Sequence, residues 1–270
     1  MIDEISGGNG LIAAERRRRV YELALRKGSV NVSELADLLG VAAATIRRDL
    51  NVLDNEGKLV RSHGGAMVKP GLVTRPEYAD TRDSYMTEKA AIGAAAAALL
   101  PHEGFVALTG GTTTRELALR VPADLRIRVV TTSVEIAYHL VTHTSATVHV
   151  LGGVVRPDTS TINCISDPAL DMLYWDTTFL SVAALDVEAG LTTVDTDAAL
   201  CMRRIISRGN KLVLLCDSSK LGCYSHAQVG PVTMADVLVT DPGASPDFLE
   251  AVREKGVEVV VAGTHGSGRP

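Results

Sequence analysis

Apolar residues in the first quarter of the chain recur at helical spacing. Between residues 16 and 27, Val20, Leu23 and Ala24 share one side of a 3.6-residue repeat, and Gly28 follows as a stop. In "SVNVSELADLLG", Leu35, Leu38 and Leu39 fall on one face, with Asn31 or Ser33 to cap the start and Gly40 to end it. After a tight turn at Gly40 and Val41, a third helix over 43–56 aligns Ile46, Leu50 and Leu53 in one stripe. Leu59 and Val60, a Gly64-Gly65 turn, then Met67 and Val68 read as a hairpin. Beyond residue 85 the pattern changes. Short apolar or β-branched runs at 105–109, 128–133, 146–153, 177–185, 211–217 and 236–241 are separated by helical stretches such as 114–121, 133–142 and 197–208. Such spacing predicts an α/β domain, a mostly parallel sheet covered by helices.

Two segments interrupt these patterns. "SGGNG" at 6–10 has too little apolar content to order itself, and "VKPGLVTRPEYADTRDS" at 68–84 carries two prolines, a glycine and scattered charges that favour an extended connection. The expected organisation is a disordered leader over 1–14, a small helical domain with a hairpin over 15–70, a linker over 71–85 and the α/β domain over 86–263.

Composition narrows the class. The 270 residues are 46 % hydrophobic, enough for a sizeable core. The net charge of −5 hides a split. Residues 15–75 hold twelve Lys or Arg against seven Asp or Glu, whereas 76–270 hold fifteen against twenty-three, so only the front is suited to a polyanion. The alanine-rich stretch at 90–100 is too short to span a bilayer, and the acidic start lacks a charged-then-apolar leader, so a cytoplasmic protein is expected with no membrane partner. Cys164, Cys201, Cys216 and Cys223 form no Cys-x-x-Cys pair, and free thiols without a structural metal are expected. His102, His139, His143 and His149 have no ligand-like arrangement and receive no role.

With Ile46, Leu50 and Leu53 facing inward, Ala44, Thr45, Arg47, Arg48 and Asn51 occupy the outer face of the third helix, near its start. Two short helices, a glycine turn and a third helix with a polar front match a helix-turn-helix, whose last helix enters the major groove of double-stranded DNA. An arginine there donates to guanine O6 and N7 or neutralises phosphate. The hairpin then serves as a wing, with Lys58, Arg61 and His63 near the DNA backbone, and Ser33 completes the expected contact set. The stretch "VSELADLLGVAAATIRRDLNVLDNEGKLVRSHGGA" at 32–66 resembles the winged helix-turn-helix of DeoR-type bacterial transcriptional regulators, with Thr-Ile-Arg-Arg-Asp-Leu and His-Gly-Gly-Ala as its signatures. The resemblance implies an operator-binding domain whose recognition helix carries Thr45, Arg47 and Arg48. One departure is Ala42, where the family usually has a serine that caps the helix.

In the α/β domain, small polar residues collect at the ends of the strands, where ligands of such sheets bind. "GGTTTREL" places Gly110, Gly111, Thr112, Thr113 and Thr114 at a strand-to-helix turn able to receive an anion, and no Gly-Lys-Ser/Thr follows to make it a P-loop. Thr131, Thr132 and Ser133 repeat the arrangement, Gly152 and Gly153 end another strand, and "CDSSKLG" brings Asp217 for hydroxyls and Lys220 for phosphate. Residues 88–241, with "GGTTTRELA", "VVTTS", "LGG", "GLTT" and "DSSKLG" as markers, are similar to the sensor domain of the same family, itself akin in fold to ribose-phosphate isomerase. That resemblance implies a phosphorylated sugar, polyol or related metabolite as effector, with no cofactor. It further implies a homo-oligomer, dimer or tetramer, built through this domain, and repression relieved by ligand. Ser181 and Ala184 replace glycines common in the family, and Ala198 and Met202 replace a common Glu and Lys. A sugar-phosphate isomerase or deaminase is the rival from another class, with Asp186 or Asp217 as its base. A nucleoid-structuring protein is a third reading that the low overall basicity opposes.

Overall fold

The computed structural model describes residues 13–27, 29–55, 58–62, 64–68, 85–156, 161–164 and 167–263. The chain divides into two compact units, residues 1–71 and 72–270. His63 and the linker residues 71–84 lie outside the described residues, as do residues 1–12 of the expected leader.

In the first unit, α1 (Ala13–Lys27) is followed by a short strand β1 (Ser29–Asn31), α2 (Val32–Leu39), α3 (Ala43–Asn55) and the hairpin β2 (Leu59–Ser62) and β3 (Gly65–Val68). Because α1 begins at Ala13, the last two residues assigned to the leader are helical. Val20 and Ala24 of α1, Leu35 of α2, and Ile46, Leu50 and Leu53 of α3 meet in one buried core with Leu59 and Ala66 of the hairpin. The cap of α2 is Asn31, whose side chain accepts from the Ser33 amide at 2.8 Å; Ser33 itself stays exposed. Gly40 ends α2 in the left-handed region at φ 64°, where a side chain would be strained. Leu38, expected in the core with Leu35 and Leu39, is 65 % exposed. An eight-residue helix buries a stripe about two residues wide here, and Val32 and Leu35 fill it.

The wing differs from its expected form. Gly65 is the first residue of β3 rather than part of the turn, and a third strand, β1, pairs antiparallel with β3. A Cβ on Gly65 would overlap the Val30 carbonyl oxygen, so this strand approaches β1 as only glycine permits.

The second unit centres on seven parallel strands: β4 (Gly104–Leu108), β5 (Ile127–Thr131), β6 (Thr147–Val150), β9 (Trp175–Leu180), β12 (Gly209–Leu215), β14 (Val237–Thr240) and β15 (Glu258–Val261). Their order across the sheet is β15-β14-β12-β9-β4-β5-β6. The chain therefore winds outward in one direction from β4 to β6 and in the other from β9 to β15, and the reversal falls between β4 and β9. Alternate residues serve opposite faces. Val106, Leu108 and Val129 pack with α4 (Met86–Ala97), α5 (Thr112–Ala118) and α6 (Val134–His143) through Ile92, Leu117 and Ile136. Phe105, Ala107 and Val130 face the other layer, where Leu170 of α7 (Ala169–Met172) and Ile205 of α8 (Thr196–Ile206) lie. Leu249 and Val252 of α9 (Pro246–Glu254) cover Leu212 and Leu238 on that same side.

The run expected as one strand over 177–185 is two. The chain leaves the main sheet after Leu180 and re-forms as β10 (Ala184–Asp186) in a small antiparallel sheet with β11 (Gly190–Thr193) and β13 (Ala227–Gly230). Another hairpin, β7 (Val154–Arg156) and β8 (Thr161–Asn163), forms its own two-stranded sheet and meets the chain just beyond β5, where the Ile162 amide donates to the Thr132 carbonyl at 2.7 Å. The expectation of free thiols fails at one pair, since Cys164 and Cys201 form a disulfide; Cys216 and Cys223 are free and buried. Spacing could not disclose that pairing, because 37 residues separate partners that the fold brings to a Cα separation of 6.0 Å.

Candidate functional site

On the first unit the outer face of α3 presents Ala44, Arg47, Arg48 and Asn51 to solvent and half-buries Thr45. Among the described residues neither Arg47 nor Arg48 has an ion-pair partner, so two guanidinium groups stand side by side without local neutralisation. The wing braces this helix. Arg61 on β2 donates to the Arg47 carbonyl at 3.3 Å and to Asn51 Oδ1, which fixes the Asn51 side chain. Lys58 is exposed, with its ammonium 5.9 Å from the centre of the Tyr21 ring. One residue of the TIRRDL stretch turns inward. Asp49 is buried and accepts from Arg16 of α1 at 2.6 Å, a contact that sequence spacing did not indicate because 33 residues separate the two.

On the second unit a cavity of about 180 Å³ opens at the carboxyl ends of β4, β5, β9 and β12, across the β4–β9 reversal. Of the residues expected around an effector, Gly110, Gly111, Thr112, Thr132 and Lys220 line it. Gly110 donates its amide to Thr132 Oγ1 at 2.9 Å, which ties the ends of β4 and β5 together. Gly111 begins α5 with no side-chain cap, so the first-turn amides of that helix have no partner from a capping group. Thr113 and Thr114 are fully buried, and their hydroxyls have no hydrogen-bond partner among the described residues.

Other expected residues do structural work elsewhere. Thr131 Oγ1 accepts from the Ser133 amide at 3.1 Å, and Ser133 Oγ caps α6 by accepting from Ile136 at 3.3 Å. Gly152 and Gly153 are exposed and do not line the cavity; the Gly152 amide donates to Asp167. Asp186 closes the β10–β11 turn, accepting from the Glu188 and Ala189 amides at 2.9 Å each, and does not line the cavity either.

Asp217 is wholly buried, 3.6 Å from Lys220 Nζ, and accepts from Ser219. It positions the lysine without lining the cavity. Lys89 on α4 is 2 % exposed and belongs to the same group of charges. Burial, and then repulsion from the Lys220 ammonium, lower its pKa to about 8, while Asp217, Glu116 and Glu88 act in the opposite sense. The sequence carried no sign of Lys89, which looks like any lysine in an alanine-rich helix.

The opposite wall comes from residues the sequence left unassigned. Thr161, Ile162 and Asn163 of β8 and Arg156 of β7 face Cys201 and Ile205 of α8 across the cavity. Among the unusual positions, Ser181, Ala198 and Met202 line it, whereas Ala184 is buried in β10. The lining therefore combines two cationic side chains, Arg156 and Lys220, and small polar groups with an apolar share from Ile162, Ala198, Met202 and Ile205. Among the described residues no Asp, Glu or His lines the cavity.

Residues 16–69 match the DeoR-like helix-turn-helix domain, and residues 84–242 match the DeoR C terminal sensor domain. The HTH-type transcriptional regulator GlpR of Haloferax volcanii is 35 % identical over 251 residues, which cover 93 % of this chain and 98 % of that protein. The chain belongs to the DeoR family. A putative aga operon transcriptional repressor of Escherichia coli O157:H7 is 29 % identical across 93 % of this chain and 94 % of its own length. Ribose 5 phosphate isomerase A from Neisseria gonorrhoeae overlaps 49 % of this chain and 52 % of its own, with 16 % identity and a TM-score of 0.37. The sorbitol operon regulator SorC from Klebsiella pneumoniae covers 87 % and 98 %, with 11 % identity and a TM-score of 0.36. As a DeoR-family member the chain is a DNA-binding transcriptional regulator, with its helix-turn-helix ahead of its sensor domain, and not an enzyme. No helix among the described residues is long and apolar enough to cross a membrane.

Proposed function

We propose that the chain is a cytoplasmic repressor of carbohydrate or polyol genes, binding double-stranded operator DNA as a homo-oligomer and released by a phosphorylated sugar, polyol or related metabolite. The observation that carries this reading is the coexistence, in one regulator, of an unneutralised Arg47-Arg48 pair on α3 and a cavity edged by Lys220 at the β4–β9 reversal. Arg47 and Arg48 contact base edges or phosphates, Thr45 and Ser33 contact the backbone, and the wing supplies Lys58 and His63. Arg61 acts chiefly by holding Asn51. In the cavity Lys220 and the first-turn amides of α5 receive the phosphate, Thr132 receives a hydroxyl, and the apolar side formed by Ile162, Ala198 and Met202 takes the less hydroxylated part of the carbon skeleton. Effector binding favours a sensor geometry in which the oligomer's paired heads no longer match their half-sites.

The test begins with DNA fragments that the wild-type protein selects from a random pool. Replacing Arg47 and Arg48 by alanine is expected to abolish retention of those fragments in a gel shift and leave ligand-induced thermal shifts intact. Thermal-shift screening of the full chain against phosphorylated sugars and polyols then identifies the effector, because a ligand of the folded state raises its melting temperature. Unchanged retention by the double variant, or a screen without a single stabilising phosphorylated compound, would contradict the reading.

A further inference from the structure

The disulfide joins the two sides of the cavity to each other. Cys164 follows directly on β8, whose Thr161, Ile162 and Asn163 form one side, and Cys201 lies on α8 among the lining residues Ala198, Met202 and Ile205. Beside this bond, polar contacts hold the β7–β8 hairpin to the start of α8. Arg156 pairs with Asp195 at 2.6 Å, and Asn163 donates to Asp197 at 3.3 Å. These groups are partly solvated, so their contribution is modest. The disulfide adds a covalent tie to these contacts between hairpin and helix.

The two sulfurs differ in access. Cys201 is 6 % exposed and lines the cavity, whereas Cys164 is completely buried. A small thiol entering the cavity meets Cys201 first. Burial pushes the other two thiols up, that of Cys223 to about 11 and that of Cys216 further, which keeps both protonated and poor partners for exchange. Disulfides that occur in a reducing compartment are commonly transient or regulatory.

We propose that Cys164 and Cys201 form a reversible dithiol–disulfide latch that makes the sensor cavity responsive to the thiol redox state. In opening, a low-molecular-weight thiolate attacks Cys201 Sγ, the S–S bond breaks, and Cys164 leaves as a thiolate that takes up a proton. A second thiolate attacks the small-molecule sulfur of the mixed disulfide and frees Cys201, which is protonated in turn. Two electrons pass to the protein, and the two small thiols leave joined as their own disulfide. Closing is the reverse, with a low-molecular-weight disulfide as oxidant. The consequence for effector control rests on the reading of this cavity as the effector site, but the latch has its own test.

That test equilibrates the full chain with defined ratios of reduced and oxidised glutathione, quenches with acid, alkylates and maps the cysteines by mass. Cys164 and Cys201 are expected to become alkylated together in one two-electron transition as the mixture becomes reducing. Native-state alkylation should leave Cys216 and Cys223 unmodified under both conditions. In parallel, amide hydrogen exchange of residues 161–164 and 196–206 is expected to quicken at least tenfold on reduction in the wild type. The Cys164→Ser variant should exchange at the fast rate under both conditions. Failure of the pair to oxidise together would overturn the latch, and so would equal exchange of both segments in the two wild-type states. Neither readout involves an effector, so failure of the effector assignment registers separately, in the thermal-shift screen.

Discussion

Arg16 grips Asp49 with two hydrogen bonds, Nε to Oδ2 at 2.6 Å and Nη2 to Oδ1 at 3.3 Å, and so clamps α1 to α3. The carboxylate is buried directly beside Arg48, yet it is spent on the core and leaves the exposed arginines unneutralised. Replacing Asp49 by alanine removes the buried acceptor that the largely buried Arg16 guanidinium grips, a loss of about 3 kcal/mol for a broken buried pair. The expected result is faster hydrogen exchange throughout α1 and α3 and a fall in DNA retention on mild warming. A loss below about 0.5 kcal/mol, the ordinary value for an exposed surface pair, would show that the clamp carries no weight.

The start of α3 offers the opposite change. Ala42 precedes the helix and accepts from the Thr45 and Ile46 amides through its carbonyl, at 2.8 and 3.3 Å, but has no side-chain oxygen to cap the first turn. Ala42→Ser supplies one, which is expected to stabilise the helix by about 1 kcal/mol. Exchange at the Ala44 and Thr45 amides should slow by roughly fivefold, since that is what such a free energy amounts to. Unaltered exchange at both amides would mean that the turn is already satisfied.

How much of this could be read beforehand depended on the range of the interaction. The stripe of Ile46, Leu50 and Leu53 is a local pattern, so the recognition helix and its exposed arginines were legible, as were six of the seven parallel strands. Interactions across long stretches were not. Arg16 and Asp49 are 33 residues apart, and Cys164 and Cys201 are 37, and no periodicity connects either pair. The β9–β10 break was hidden because apolar side chains continue through residues 182–185 while the backbone passes from one sheet to another. Strand ends concentrate small polar residues, so the placing of Gly110, Thr112 and Lys220 at the cavity could be anticipated, whereas the place of Asp186 in the β10–β11 turn could not, because a turn-capping carboxylate looks the same in sequence.

Lys220 has a carboxylate on one side and the cavity on the other. Removing its charge by Lys220→Gln deletes one charge-assisted hydrogen bond to an anionic ligand, worth about 1.5–3 kcal/mol, or roughly a ten- to hundredfold loss of affinity. Affinity for DNA in the absence of ligand should stay within twofold of wild type. Titration with whichever phosphorylated compound the thermal screen identifies, followed by isothermal calorimetry, provides the measurement. Retained affinity would move the phosphate elsewhere in the cavity, away from the end of β12.

Lys89 turns the same charge group into a pH signature. Its pKa is about 8 in the fold against an ordinary value of 10.5, so between these limits the unfolded chain binds a proton that the folded chain does not. Stability from this residue must therefore rise as pH increases from 8 to 10.5; below pH 8 both states carry the proton and the burial penalty is present in full. The size of the effect is about 3 kcal/mol, since each pKa unit amounts to 1.36 kcal/mol. Comparing urea unfolding of the wild type and Lys89→Met across pH 7 to 10.5 isolates it, because other groups titrate in both proteins. The wild type should gain on the variant by that amount over the interval. Lys220→Gln should shrink the gain, since the Lys220 ammonium is one of the two causes that hold Lys89 low, and Asp217, Glu116 and Glu88 would then pull its pKa back up. Parallel stability curves for wild type and Lys89→Met would show that Lys89 reaches solvent in the folded protein.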